Sequence, residues 1–171
     1  TSGEALLDIL NSVLDFAKVA AGHAELRVEP LQPNAVAASV ATLFSASARR
    51  KGLLLRFDPD PALEGWRCGD ELRIRQVLMN LVGNALKFTS QGEVVVRTQC
   101  LDGPGGPRVA FEVADTGPGV AASMQAEIFE PFRQGESGAD RRFGGTGLGL
   151  AICRTLALAM GGTLAVDSVP G

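Results

Sequence analysis

The sequence predicts an α+β domain in which helices cover one face of a mixed β-sheet. Three observations lead to this fold class. Some stretches repeat apolar residues with helical spacing, others alternate apolar and polar residues as strands do, and their order along the chain suits a two-layer domain. The 171 residues, 46% of them hydrophobic, are enough for one medium-sized core and too few for two full domains.

The first segment is predicted to be a helix that stands apart from the rest. Before Gly22 its apolar residues form two adjoining stripes, one more than a surface helix needs. We therefore expect it to pack on a core and also on a partner helix. Pro30 and Pro33 then argue against further helix, and we place a boundary that separates residues 1–29 from residues 30–171.

The elements of the second part follow from the same two patterns. Asp70 precedes the clearest helical stretch and is its predicted N-cap. In order, we expect a helix around 36–47, a strand at 53–58, a loop over 59–69, a helix over 71–88, a hairpin of 93–101 and 108–114, a short helix near 122–128, a polar, glycine-rich segment to 147, a helix over 148–160 and a strand at 163–168.

Charge and composition exclude several classes of function. The net charge of −3 and the lack of a basic stripe argue against nucleic acid as a partner. No apolar run reaches the length of a membrane span and no signal segment opens the chain, so we expect it to be cytoplasmic. Cys68, Cys100 and Cys153 lack metal or redox spacing and are expected to be reduced core thiols.

One face of the predicted helix 71–88 is polar. Asn80, Asn84 and Lys87 are spaced by four and three residues, so their side chains share a face away from the apolar stripe. Two carboxamides and an ammonium on one face suit a hydrated Mg²⁺ and the phosphates that it bridges. A merely solvated helix face is the alternative that the spacing leaves open.

Two glycine-containing stretches add to this site. In "ADTGPGV", Asp115 ends a strand before a tight turn with Gly117 and Gly119, where a buried carboxylate could accept a hydrogen bond from an exocyclic amine. In "GGTGLGL", glycines at the mouth of a helix let backbone N–H groups approach a phosphate. An ordinary turn remains the alternative for the first stretch, and the second fits neither a Walker loop nor a dinucleotide fingerprint.

Taken together, four stretches carry a resemblance to a known family. "LRIRQVLMNLVGNALKFT", "VADTGPGV", "IFEPFRQ" and "GGTGLGLAIC" resemble the N, G1, F and G2 boxes of the catalytic domain of sensor histidine kinases, in the GHKL ATP-binding superfamily. "GEALLDILNSVLDFAKVAAG" resembles the second helix of the dimerisation and phosphotransfer hairpin, most like that of hybrid kinases. The resemblance implies a Bergerat-type sandwich, its last strand truncated here, with ATP between the helices and a mobile lid at about 131–146.

The resemblance also implies a role for each matching residue. Asn84 would be the Mg²⁺ ligand with Asn80 beside it, and Phe129 and Phe132 would anchor the lid base unless they are ordinary core aromatics. The implied phosphate contacts are Lys87, Arg133, Thr146, Gly147, Leu148 and Gly149, with Arg141 or Arg142 as further candidates, and the implied adenine contacts are Phe88, Asp115, Gly117 and Gly119. Asn80, Lys87 and Arg133 form the expected catalytic set.

Asn80 also bears on the type of reaction. Superfamily members that hydrolyse ATP have a Glu four residues before the metal-binding Asn, and a carboxamide cannot accept a proton from water. A phosphoryl transfer to a histidine on the hairpin is expected instead. The acceptor motif is absent from this sequence, and His23 is expected to be a linker residue.

Two further classes of protein stay in comparison with the kinase. A degenerate, non-catalytic nucleotide-binding or scaffolding module is the alternative function, although all four boxes keep their polar residues. A gyrase-like or chaperone-like ATPase is disfavoured by Asn80. For the kinase, the implied partners are its own hairpin, a second copy in the full-length parent, and a response regulator or receiver domain. Whether the parent is anchored in the inner membrane stays open.

Overall fold

The computed structural model describes residues 25–103, 105–132 and 147–170. The chain divides into two compact units, one of Arg27–Gly119 and one that includes Val120–Pro170. The elements are β1 (Glu29–Leu31), α1 (Pro33–Arg50), β2 (Leu54–Asp58), β3 (Arg67–Gly69), α2 (Glu71–Phe88), β4 (Glu93–Leu101), β5 (Arg108–Asp115) and α3 (Gly149–Ala159), with 3₁₀ turns at Pro61–Leu63 and Glu127–Phe129.

In the unit Arg27–Gly119, two helices cover one face of a mixed sheet. The strand order is β2-β4-β5, with β2 parallel and β5 antiparallel to β4. Val94 and Val96 are fully buried on β4 and pack in one cluster with Val40 of α1 and Val82 of α2. Since strand residues alternate between faces, this cluster defines the covered face of the sheet. The predicted fold class is confirmed.

The other face of the sheet carries cross-strand ion pairs. Arg56 of β2 lies 2.9 Å from Glu93 of β4, and Arg97 of β4 lies 2.8 Å from Glu112 of β5. The hydrogen bond from Arg56 is the main reason why the pKa of Glu93 is lowered, although desolvation acts against it. Between these pairs Val95 is only 3% exposed. Long charged side chains thus cover the apolar centre of this face.

Asp70 holds the start of α2. Its Oδ1 accepts a hydrogen bond from the backbone N–H of Arg73 at 3.0 Å, which is the predicted N-cap interaction. Its Oδ2 accepts a second bond, from the backbone N–H of Arg27 at 2.9 Å. The side chain is 4% exposed. One carboxylate therefore fixes both the first turn of α2 and the chain that enters this unit.

Three predicted features of this unit are wrong. Pro33 does not exclude helix but begins α1 at the first helical position, where its missing N–H is not needed. Part of the expected loop over 59–69 is a strand, since β3 pairs antiparallel with β1. Strands of three residues are too short to show an alternating pattern, and a proline such as Pro30 in β1 argues against a strand. Cys68 on β3 is exposed and is no core thiol.

In the unit Val120–Pro170, only the long helix matches the prediction. α3 begins at Gly149, and Cys153 within it is buried, which raises the pKa of its thiol to about 12. The expected short helix near 122–128 is a series of turns that ends in a 3₁₀ turn. The expected strand at 163–168 is not formed. Ser168 bonds instead to the backbone N–H of Val120 and to the side chain of Gln125.

Two expectations about the beginning of the chain are not tested. The predicted first helix and His23 lie outside the described residues. The boundary near residue 30 stays a prediction. Within the described ranges, no helix is long and apolar enough to cross a membrane.

The double role of Asp70 predicts a graded loss of stability. Asp70→Ala removes both bonds and should lower the free energy of unfolding by about 2 to 3 kcal/mol, the sum of a lost cap and a lost charged hydrogen bond. Asp70→Asn should lose less, because one carbonyl oxygen can still cap α2. Urea unfolding measures both, with Asp102→Ala at an exposed aspartate as the control. Equal stability of Asp70→Ala and the control would contradict this role.

Candidate functional site

The polar face of α2 brings the two predicted asparagines into contact. The side-chain amide of Asn84 donates to Oδ1 of Asn80 at 3.0 Å, and both residues are partly buried. This bond uses one amide hydrogen of Asn84 and the side-chain oxygen of Asn80. It does not involve the side-chain oxygen of Asn84, which is a hard donor of the kind that Mg²⁺ prefers.

The C-terminal turn of α2 carries the next two predicted residues. The ammonium of Lys87 lies 4.8 Å from the centroid of the Phe88 ring, which is 40% exposed. Lys51, just after α1, donates to the backbone carbonyls of Leu86 and Lys87. A cation on these carbonyls offsets the negative end of the helix dipole. A phosphate near Lys87 therefore meets less repulsion from the helix.

The Asp115 carboxylate is held in the turn after β5. Its Oδ1 accepts hydrogen bonds from the backbone N–H of Gly117 at 2.8 Å and from the hydroxyl of Thr89 at 3.4 Å. A Cβ at position 117 would lie 2.7 Å from this oxygen, so a side chain there would displace the Asp115 carboxylate. The expectation of a buried carboxylate is wrong, because Asp115 ends its strand at an exposed turn. Gly119 lies two residues further along this turn.

A second residue of the turn ties it to the segment after α2. The hydroxyl of Thr116 accepts a hydrogen bond from the backbone N–H of Glu93 and donates to the carbonyl of Gln91, both at 3.0 Å. Together with the Thr89 bond, this brings the predicted adenine residues Phe88, Asp115 and Gly117 to one edge of the unit Arg27–Gly119.

The glycine-rich helix start lies in the other unit. Gly147 has φ +68°, which favours glycine, and its carbonyl accepts a hydrogen bond from the N–H of Phe132 at 3.0 Å. Leu148 is 1% exposed and lies directly before α3, so its side chain is buried at the start of that helix. The first N–H groups of α3, from Gly149 on, precede the first helical bond, which runs from the N–H of Ile152 to the carbonyl of Leu148 at 2.9 Å. A role of this helix start in binding phosphate stays a prediction.

The two aromatic residues before this point differ in their surroundings. Phe129 is partly buried, and the guanidinium of Arg154 lies 5.7 Å from its ring centroid. Phe132 is 67% exposed with φ +63°, so it is no core aromatic. The predicted residues Arg133, Arg141, Arg142 and Thr146 lie outside the described residues.

Two residues near the site were not predicted. Thr89 donates a hydrogen bond to Asp115, and Lys51 donates one to a carbonyl at the end of α2. Both bonds join distant parts of the chain. The one sequence signal for this role of Thr89 was its position directly after the last residue of α2.

In the described ranges, no group of three or more His, Cys, Asp or Glu residues is placed to hold a metal ion.

Comparison with known proteins identifies the family of the chain. Residues 69–171 match the sequence model of a family described as histidine kinase-, DNA gyrase B-, and HSP90-like ATPase. The chain belongs to this family. Within it, the relatives are sensor kinases, which confirms the resemblance to the catalytic domain of sensor histidine kinases.

Two curated relatives show how much of such a protein the chain represents. Sensor histidine kinase AruS of Pseudomonas aeruginosa is 42% identical over 172 residues, which cover 100% of this chain and 17% of AruS. Signal transduction histidine-protein kinase BarA of Escherichia coli is 37% identical, over 99% of this chain and 18% of BarA. The chain thus spans less than a fifth of either relative.

Two solved structures are similar over nearly the whole chain. Full-length ShkA in complex with AMPPNP is 41% identical with a TM-score of 0.89, covering 99% of this chain and 34% of that one. Histidine kinase ThkA in complex with response regulator protein TrrA is 25% identical with a TM-score of 0.71, covering 94% of this chain and 42% of that one. The chain therefore shares its fold with part of each of these two proteins.

Proposed function

We propose that this chain binds Mg-ATP and transfers the γ-phosphate to a histidine on the dimerisation hairpin of its parent protein. The observation that carries this proposal is the bond from Thr89 to Asp115, which ties the Asp115 turn to the end of the helix that bears Asn80, Asn84 and Lys87. Family membership and the nucleotide analogue in ShkA support it.

Each part of the nucleotide has a matching group. The carbonyl oxygen of Asn84 would hold Mg²⁺, which supplies positive charge to the phosphates and keeps most of its waters. The ammonium of Lys87 would bind a phosphate oxygen, and Phe88 would flank the adenine. Oδ2 of Asp115 would accept the adenine amine. For the other unit we propose, separately, that Gly147, Leu148 and Gly149 donate backbone N–H groups to phosphate, and that Arg133 and Thr146 add contacts.

The side chain of Asn80 bears on the choice between water and a histidine as the nucleophile. Its carboxamide accepts a hydrogen bond from Asn84 and has no basic site for a proton of water. Transfer then requires a ring nitrogen of an acceptor histidine. This nitrogen attacks the γ-phosphorus in line, a P–N bond forms, the bond to the β–γ bridging oxygen breaks, and ADP leaves. A module that serves only as a scaffold would need none of these polar groups in place, which disfavours that form of the degenerate alternative. Nothing in the comparisons supports a degenerate module that only binds nucleotide.

The partners of the parent protein follow from this chemistry. We propose that the chain works beside a dimerisation hairpin in a homodimer and that a response regulator or receiver domain takes the phosphoryl group onward. The complex of ThkA with TrrA supports such a partner. We place the domain in the cytoplasm, where ATP is available.

The adenine role of Asp115 predicts a loss of affinity on substitution. Asp115→Asn replaces a charged acceptor by an amide and should weaken Mg-ATP binding roughly ten- to hundredfold, as expected for a lost charged hydrogen bond of about 1.5 to 3 kcal/mol. Calorimetric titration of the variant, the unchanged chain and Asp102→Asn measures this. Equal affinity in all three would exclude Asp115 as the adenine acceptor.

The metal role of Asn84 predicts a different pattern. Asn84→Ala should abolish the gain in nucleotide affinity on adding Mg²⁺, while the weak binding without Mg²⁺ persists through Asp115. Titrations with and without Mg²⁺ test this, and circular dichroism checks that α2 is intact. If the gain from Mg²⁺ remains in the variant, another residue ligates the ion.

The absence of an acceptor motif predicts transfer only to a second molecule. With labelled ATP and Mg²⁺, the untagged chain should acquire no phosphohistidine, yet it should label a separately supplied hairpin of its parent. This transfer should be slow, because tethering normally raises the local concentration of the acceptor. His23→Ala is the control for self-labelling. Label on His23 would contradict its assignment to the linker, and an unlabelled hairpin beside demonstrated ATP binding would contradict transfer between separate pieces.

A further inference from the structure

Thr89 has a hydroxyl that the binding scheme above does not use. The residue lies directly after α2, where its N–H still bonds to the carbonyl of Ala85 but its own backbone is extended. The side chain is 1% exposed. Its hydroxyl donates to Oδ1 of Asp115 at 3.4 Å, across 26 positions of sequence. A buried hydroxyl thus meets the carboxylate proposed to accept the adenine.

We infer that Thr89 is a positioning residue that makes the site selective for adenine over guanine by fixing the orientation of the Asp115 carboxylate. The inference depends on the proposed binding of Mg-ATP and adds the selection of the base to it. Thr89 itself is too deeply buried to contact the nucleotide and acts through Asp115.

Two donors on the same oxygen produce this orientation. The N–H of Gly117 and the hydroxyl of Thr89 both bond to Oδ1 of Asp115, from different segments of the chain. One donor lets the carboxylate swing about a single bond, whereas two donors restrict its plane. Among the described residues, none donates to Oδ2. This oxygen is therefore kept as the acceptor for a ligand at the exposed turn.

The two purines respond differently to a fixed acceptor. Adenine presents an amine at C6, whose N–H can donate to Oδ2. Guanine presents a carbonyl oxygen at C6, which a fixed carboxylate oxygen repels. Guanine also carries N1–H and an amine at C2, two donors that a freely turning carboxylate can reach as a bidentate acceptor. Fixing the carboxylate therefore favours ATP and disfavours GTP, and releasing it reduces both effects.

A packing role for Thr89 predicts the opposite pattern of variants. Thr89→Val keeps the shape and removes the donor, whereas Thr89→Ser keeps the donor and loses a methyl group. If only packing mattered, Val would resemble the unchanged chain. If the hydroxyl orients Asp115, Ser preserves selectivity and Val does not. Thr89→Ala completes the set, because Ala and Ser differ only in the hydroxyl.

The test is calorimetric titration of the 171-residue chain and these variants with Mg-ATP and Mg-GTP, with the melting temperature of each protein recorded. We expect the ratio of the two affinities to fall at least about tenfold in Thr89→Val, the scale of one lost orienting hydrogen bond, and to stay within about twofold in Thr89→Ser. Should Thr89→Val fail to fold, the same difference is expected between Ser and Ala.

The possible outcomes separate this inference from the proposed function. An unchanged ratio in Thr89→Val, or in Ala relative to Ser, would overturn the positioning role while leaving ATP binding in place. A ratio lost equally in Thr89→Ser would also overturn it, because packing would then explain the effect. If the unchanged chain binds neither nucleotide, the proposed function fails and the inference with it.

Discussion

The hydrogen bonds at the two ends of α2 are the constraint on which the proposed nucleotide-binding residues depend. Asp70 fixes the first turn, and Lys51 bonds to the last carbonyls. Between these ends, one side of the helix is buried in the core and the other carries Asn80 and Asn84. A rotation or a shift by one residue would bury a carboxamide and expose a core side chain. The same burial that stabilises the domain therefore sets the direction of the ligating groups.

The Asn80–Asn84 bond links this scaffold to the choice of reaction. In the family to which the chain belongs, ATP can be cleaved by water or passed to a protein group. Asn80 lies one helical turn before Asn84, the metal ligand that we propose, and its carboxamide has no basic character. Under the proposed function, Asn80 does not activate water, and the reaction depends on an acceptor that the parent protein delivers.

Features that depend on residues within one stretch of the sequence could be predicted, whereas features that depend on contacts between distant stretches could not. The bounds of α2, its N-cap and the β4–β5 hairpin follow from patterns within one stretch, and all agree with the structure. The β1–β3 pair and the Thr89–Asp115 bond join positions that no spacing rule connects. The stretch 163–168 alternates like a strand, but pairing needs a neighbour, and there Ser168 bonds to Val120 and Gln125. The exposure of Asp115 also depended on where the turn projects, which composition does not reveal.

The charged face of the sheet has a consequence for how the domain behaves among other proteins. Within the described residues, β2 forms one edge of the sheet, and an open edge can recruit a strand from another chain. Arg56 lies on this edge strand and is paired with Glu93 of the neighbouring strand. An incoming strand would pack beside this ion pair and remove water from its two charged groups, which is unfavourable. The Arg56–Glu93 pair therefore opposes the addition of a foreign strand at the β2 edge of the sheet.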